Sequence, residues 1–223
     1  MDLSKSYEFF QPDKDNAKIH IVGCGSVGST IAENLARLGV TNFVLWDFDY
    51  VEPHNLANQM FRQKDVGKRK VDALLDILSE INEEIRDKAV LKPDGWDGNT
   101  LSGYVFLCVD NIDLRRRIVE QHMDHPYIKA MFDVRTRLTD AQHYAADWSD
   151  PKAKENFLGS MNFSHEEAKE ETPVSACNIE LSVCMTVRVI CAYCVANFVR
   201  FWNGLPLKNL LLANAYEFDL LSF

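Results

Sequence analysis

The feature that most restricts what this chain can become is the run IHIVGCGSVGSTIAENLARLGVTNFVLWDFD over residues 19 to 49. KIHIVG has the make-up of a buried strand. SVGSTIAENLARLG follows with helical spacing, Leu35 and Leu38 on one face and Gly39 as its stop, and NFVLWD resumes an apolar strand. Strand, glycine turn, helix, strand is a βαβ unit, which requires a parallel sheet and a right-handed crossover. Gly23, Gly25 and Gly28 stand in GxGxxG spacing. Such glycines permit a tight bend and bring a phosphate close to the backbone, at a helix N-terminus whose free N–H groups favour an anion. Asp47 and Asp49 end the second strand, where an acid accepts hydrogen bonds from a ribose hydroxyl. This specifies a nucleotide and leaves NAD, FAD, S-adenosylmethionine and ATP open.

The alternation continues downstream. GKRKVDALLDILSEINEEI reads as an amphipathic helix with Val71, Leu74, Leu75, Leu78 and Ile81 inward, AVLKPD as a short strand, GYVFLCVD as a strand ending in an acid, NIDLRRRIVEQHMDH as a helix and YIKAMFDVRT as a strand. The expected fold is therefore α/β, a doubly wound Rossmann-like sheet with its ligand crevice at the carboxyl ends of the strands. It is mainly parallel, with antiparallel strands toward the C-terminal part, because RLTDAQHYAADW alternates as an antiparallel strand does. Residues 149 to 173 are polar and without period and read as a mobile crossover loop. A long helix is expected from about 177 to 203, and LLLANAYEFDLLSF either closes the sheet as a last strand or docks on a partner.

At 223 residues and 47% apolar content, the chain is expected to form a single domain over 1-223. A net charge of -9 argues against general affinity for nucleic-acid backbones, the local cluster Lys64, Lys68, Arg69 and Lys70 notwithstanding. The first sixteen residues lack the apolar core of a signal peptide, and no apolar segment is read as approaching the roughly 20 residues of a membrane span. The expectation is a cytoplasmic protein whose Cys24, Cys108, Cys184, Cys191 and Cys194 are reduced, buried thiols. Cys191 and Cys194 form half a zinc motif with no second pair, and His54, His122, His125 and His143 show no ligand spacing, so no metal is assigned to them.

The nucleotide is narrowed by WDFDYVEPHNLANQMFRQKDVGKRKVDAL and LCVDNIDLRRR. Here the chain resembles the ThiF/MoeB superfamily of adenylyltransferases, related to ubiquitin-activating enzymes. The shared features are the glycine loop, D-x-D at Asp47 and Asp49, N-L-x-x-Q at Asn55, Leu56 and Gln59, the Asp65 to Lys70 region, and D-N-x-x-x-R from Asp110 to Arg115. The resemblance covers residues 18 to 147 well and 170 to 203 loosely. It implies ATP and Mg²⁺ as cofactors, with Asp47 on the ribose, Lys70 on the phosphates, Asp110 on the metal, and Asn55 and Gln59 beside the triphosphate. It further implies activation of a carboxylate as an acyl-adenylate, usually the C-terminus of a ubiquitin-like or sulfur-carrier protein or a peptide, and a homodimer. Taken singly, Lys70 also reads as a solvated lysine opening a helix, Asp110 as a helix cap and Asn55 as a turn residue; their joint order favours the site.

The chain departs from the family pattern in two places. Asn58 stands where the family has an arginine, and Arg62 takes over its charge if the intervening segment is helical; Arg115 is a further arginine of the pattern. Pro173 is followed by Val174 and not by the family's cysteine, leaving Cys177 as the candidate thiol, or as a small buried helix residue. Arg135 and Arg137 fall where the family places a strand beside the substrate groove, or form surface pairs. The departures motivate a second reading, a non-catalytic relative with a degenerate nucleotide site that acts as an interaction protein. An NAD-dependent oxidoreductase, compatible with the glycine loop alone, leaves Lys70 and Asp110 without a purpose.

Overall fold

The computed structural model describes residues 1–170 and 181–223. Its elements are β1 (Ile19–Val22), α1 (Ser26–Arg37), β2 (Phe43–Trp46), α2 (Lys70–Ile81), α3 (Glu84–Lys88), β3 (Val90–Lys92), β4 (Gly103–Leu107), α4 (Ile112–His122), β5 (Ile128–Thr136), β6 (Asp140–Asp147), α5 (Pro151–Gly159), α6 (His165–Glu170), α7 (Cys184–Trp202), β7 (Leu210–Asn214) and β8 (Asp219–Ser222). The described strands form one sheet in the order β3-β2-β1-β4-β5-β6-β7-β8. The pairs from β3 through β5 are parallel and those from β5 through β8 antiparallel. The expected α/β, doubly wound and mainly parallel sheet is therefore what the chain forms.

The strands alternate between two cores. Ile19, Ile21, Phe43, Leu45, Tyr104 and Phe106 face the layer made by α1, α2 and α7. Val22, Val44, Trp46, Val105 and Leu107 face the layer made by α4 and α5. Both faces of a parallel sheet must be covered, which is why these strands are apolar throughout and not alternating. Strand order reverses direction between β1 and β4, and this places a crevice at their carboxyl ends.

Several expectations need correction. Residues 149 to 173 are not a bare loop over their described part. Asp150 accepts hydrogen bonds from the N–H groups of Lys152 and Ala153 with Pro151 in the first helical turn, a start signal for α5. Ser164 and Glu167 then form a reciprocal cap at the start of α6. The 177 to 203 helix is described from Cys184. That helix, α7, has 19 residues with mean hydropathy 1.4, enough to cross a membrane by length and composition, contrary to the sequence reading. Its Val187, Ile190, Cys191, Cys194 and Phe198 nevertheless lie in the core against the sheet. Cys184 is exposed at its first turn, while Cys24, Cys191 and Cys194 are buried and Cys108 is partly so. The C-terminal segment supplies two strands, a β7–β8 hairpin. The helix expected to run through NEEI is also interrupted: Asn82 is extended, and α3 restarts at Glu84.

Two buried histidines give the fold a pH dependence. His143 donates from Nδ1 to the Asp133 carbonyl at 3.2 Å and accepts at Nε2 from Asn197 Nδ2 at 3.1 Å, which fixes a neutral tautomer. Burial pushes the pKa of His143, and of His20 beneath Trp46, down to about 4. A histidine depressed below its unfolded value contributes stability in full above pH ~6.5, and loses it as pH falls toward the folded value. The expected loss is about 2 kcal/mol per residue by pH 5. Urea unfolding at pH 7.5 and pH 5 should show it, with His143→Gln flattening the difference by roughly half.

Candidate active site

The glycine loop joins β1 to α1, and each glycine has a separate reason to be there. Gly23 has φ +95°, and a Cβ on it would lie 2.8 Å from the backbone of Cys108 and Val109, so the loop after β1 touches the loop after β4. A Cβ on Gly28 would lie 1.9 Å from the Gly23 carbonyl oxygen. A Cβ on Gly25 would meet nothing within 4 Å. Gly25 also precedes a helix with no side-chain cap and no acid in its first turn, in contrast to the capped starts of α4 and α5. The first N–H groups of α1 and the open space over Gly25 together suit an anionic ligand.

Asp47 is buried and holds this loop in place: one carboxylate oxygen accepts from the Cys24 N–H at 2.6 Å and the other from the Asp49 N–H at 2.8 Å. Burial raises its pKa despite the nearby Lys70 charge. Each oxygen keeps a further lone pair for a ribose hydroxyl. Lys70, at the start of α2, is not a solvated lysine. It is 7% exposed, and its Nζ donates to Asp49 Oδ2 at 2.8 Å while its N–H donates to the Asp49 carbonyl at 2.9 Å. Asp47, Asp49, Lys70 and the glycine loop are thus one hydrogen-bonded group.

Asn55 sits in a short 3-10 turn, Pro53–Ala57, buried, with Oδ1 accepting from the Glu52 N–H at 2.9 Å. It is a turn residue in its oxygen, and its amide nitrogen has no partner among the described residues. The following segment is tied to α1 by the Met60 N–H donating to Ser29 Oγ at 3.3 Å. Gln59 Oε1 is buried without a hydrogen-bond partner among the described residues.

Asn58 closes the 3-10 turn, and the stretch from there to Arg62 is not helical, so the one-turn spacing expected of Arg62 does not hold. The Arg62 guanidinium pairs with Asp65 at 3.1 Å and with Glu80, with Nη2 buried and unpartnered. Asp110 is exposed in the loop between β4 and α4 and makes no side-chain hydrogen bond among the described residues; the cap of α4 is Asn111, which accepts from the Leu114 N–H at 2.9 Å. Arg115 does not face this crevice with a free charge. Its guanidinium donates to the carbonyls of Val109 and Val134 and pairs with buried Asp133. Arg135 forms no surface pair: it donates to Asp133 at 2.7 Å and to Ser160. Arg137 lies in the β5–β6 turn, its N–H on the Asp140 carbonyl. Cys177 lies outside the described residues.

Gly25, Asp47, Lys70 and Asp110 therefore fall on the carboxyl-end side of β1, β2 and β4, where a doubly wound, Rossmann-like sheet forms its crevice. The chain belongs to the ThiF family, which it matches over residues 7–223. It is 37% identical over 114 residues to ubiquitin-like modifier-activating enzyme 5 of Oryza sativa subsp. japonica, covering 44% of this chain and 27% of that protein. It is 34% identical over 134 residues to the Drosophila persimilis protein of the same name, covering 53% and 34%. The matched regions are thus about a third or less of those relatives' length. Among solved structures, E. coli MccB with ATP superposes at TM-score 0.69 and 19% identity, over 93% of this chain and 63% of that one. PaaA does so at 0.67 and 16%, over 92% and 63%. At these identities the likeness is one of fold.

Proposed function

We propose that this protein is an ATP-dependent adenylyltransferase that activates a carboxylate, the C-terminus of a ubiquitin-like or sulfur-carrier protein or of a peptide, as an acyl-adenylate. The observation that carries the reading is the open, uncapped cradle at Gly25 with a buried lysine and an unpaired aspartate at neighbouring strand ends. The residues fit ATP: the α1 N–H groups and Lys70 meet phosphate charge, and Asp47 accepts from the ribose. Asp110 has the free carboxylate that would hold Mg²⁺, which when bound neutralises charge on the departing pyrophosphate. A carboxylate substrate is already ionised at neutral pH, so the chain needs no general base for this step. Its task is to align the carboxylate with the α-phosphate, exclude water and compensate charge. The crystallisation of MccB with ATP, and with AMPCPP and MccA, supports the ATP-dependent reading.

The proposal includes a single domain acting as a homodimer, with the carboxylate-bearing partner supplied by another chain. Calorimetric titration with Mg²⁺-ATP should show metal-dependent binding that Asp110→Ala weakens at least tenfold, while NAD produces no heat. Binding indifferent to Mg²⁺ and to the substitution would refute the assignment of Asp110. Asn58, where the family pattern has arginine, favours the non-catalytic alternative. Asn58→Arg raises pyrophosphate exchange if only that charge is lacking, and an unresponsive protein would move weight to the interaction role.

A further inference from the structure

The geometry points to the buried Arg115–Asp133–Arg135 chain as a positioning bracket that aims Asp110 and couples it to the helical arm formed by α5 and α6. The inference rests on the adenylation reading for the role of Asp110, but not for the coupling itself.

Asp110 makes no side-chain hydrogen bond among the described residues, so its direction is set by the backbone on either side. On the C-terminal side, Asn111 is fixed by capping α4. On the N-terminal side, the Val109 carbonyl accepts from Arg115 Nε at 2.7 Å and from Nη2. The same guanidinium reaches β5, where Nη1 donates to the Val134 carbonyl at 3.0 Å and pairs with Asp133 Oδ1. Asp133 is fully buried, and its other oxygen accepts from Arg135 Nε at 2.7 Å. Arg135 in turn donates to the Ser160 carbonyl at 2.8 Å and to Ser160 Oγ at 3.0 Å, and lies over the rings of Tyr144 and Phe163. Arg116 adds a parallel tie, donating to the carbonyls of Met161 and Phe163.

A fold held only by burial would not need two guanidiniums sharing one buried carboxylate, because apolar replacements for buried ion pairs are often equally stable. The planar forks do what apolar packing cannot: they fix carbonyl directions at two loops on opposite ends of one chain of contacts. One end is the backbone neighbour of Asp110; the other is the turn between α5 and α6, which leads toward residues 171–180 and α7. A displacement of the arm is thereby felt at Asp110.

The test uses the intact chain and reads the loop directly. Arg135→Gln keeps the Arg115–Asp133 pair but cuts the far end. Amide hydrogen exchange over residues 108–111 should accelerate roughly 3- to 30-fold, as expected for a coupling of this size, with β1 amides unchanged. The Mg²⁺ concentration giving half-maximal ATP binding should rise by a similar factor, with little change in affinity at saturating Mg²⁺. Arg115→Lys, which retains charge but not the fork, should reproduce both effects, and Ser160→Ala a milder version should Arg135→Gln fail to fold. Unchanged exchange at 108–111 in these variants overturns the bracket. A uniform loss of protection across the sheet does so as well, since it marks a structural role alone. If the wild-type protein binds no Mg²⁺-ATP, the adenylation reading fails, and the exchange measurement still decides the coupling.

Discussion

Lys70→Met is expected to reduce pyrophosphate exchange by about 10²- to 10³-fold, the loss typical of removing one preorganised group that meets charge in the transition state. The reason lies in how the ammonium is held. Lys70 is almost wholly buried, yet its partner Asp49 is half exposed, so the pair places a desolvated cation at the mouth of the crevice with its balancing charge facing water. A phosphate arriving over the α1 N-terminus would compete with Asp49 for that cation. Methionine matches the aliphatic stem and removes the charge, and Asp49 remains hydrated without it. The melting temperature should therefore stay within about 2 °C, less than 1 kcal/mol in a chain of this size. Lys70→Arg is not a conservative control, because a planar guanidinium cannot occupy the slot of a compact ammonium. Asp49→Asn is the better one: it frees the lysine, and should lower activity far less than Lys70→Met. A melting temperature that falls in step with activity would show that Lys70 serves the fold and not phosphate binding.

This pair also marks the boundary of what could be read from residue order. The glycine spacing, the acids at strand ends and the alternation of GYVFLCVD and RLTDAQHYAADW are local patterns, and local patterns fix element type and strand direction. Who partners whom is not local. Asp133 lies 18 residues beyond Arg115, and nothing in the sequence says that it captures that guanidinium and so takes from it any role on the phosphates. Arg62 was lost to Asp65 and Glu80 for the same reason. The helices α5 and α6 are legible in their capping and not in their periodicity: Asp150–Pro151 and Ser164 with Glu167 announce their starts although their bodies are polar. The exposure of Cys184 was lost in an apolar average, since α7 buries one stripe and turns another outward.

The glycine loop separates fold from function within three residues, and this yields the second large effect. Gly28→Ala places a methyl 1.9 Å from the Gly23 carbonyl oxygen and 3.0 Å from Ile21 Cγ2, both belonging to β1 and its turn, with no flexible side chain to yield at the shorter contact. α1 must move off the strand, at about 3 kcal/mol for overpacking of this severity, which is roughly 6–12 °C in melting temperature for a domain of this length. Gly25→Ala meets nothing within 4 Å and sits at φ −73°, so its melting temperature should be nearly that of wild type. Its methyl instead occupies the space in which a phosphate would approach the α1 N–H groups. Calorimetry with Mg²⁺-ATP should then show an affinity at least tenfold weaker in a protein that is fully folded. The two substitutions thus move opposite readouts, and their contrast is the test. If Gly25→Ala binds ATP as wild type does, phosphates do not lie on this loop, and the crevice must be assigned to another ligand. If it melts as early as Gly28→Ala, the open space serves the packing of α1, and the cradle is a property of the fold alone.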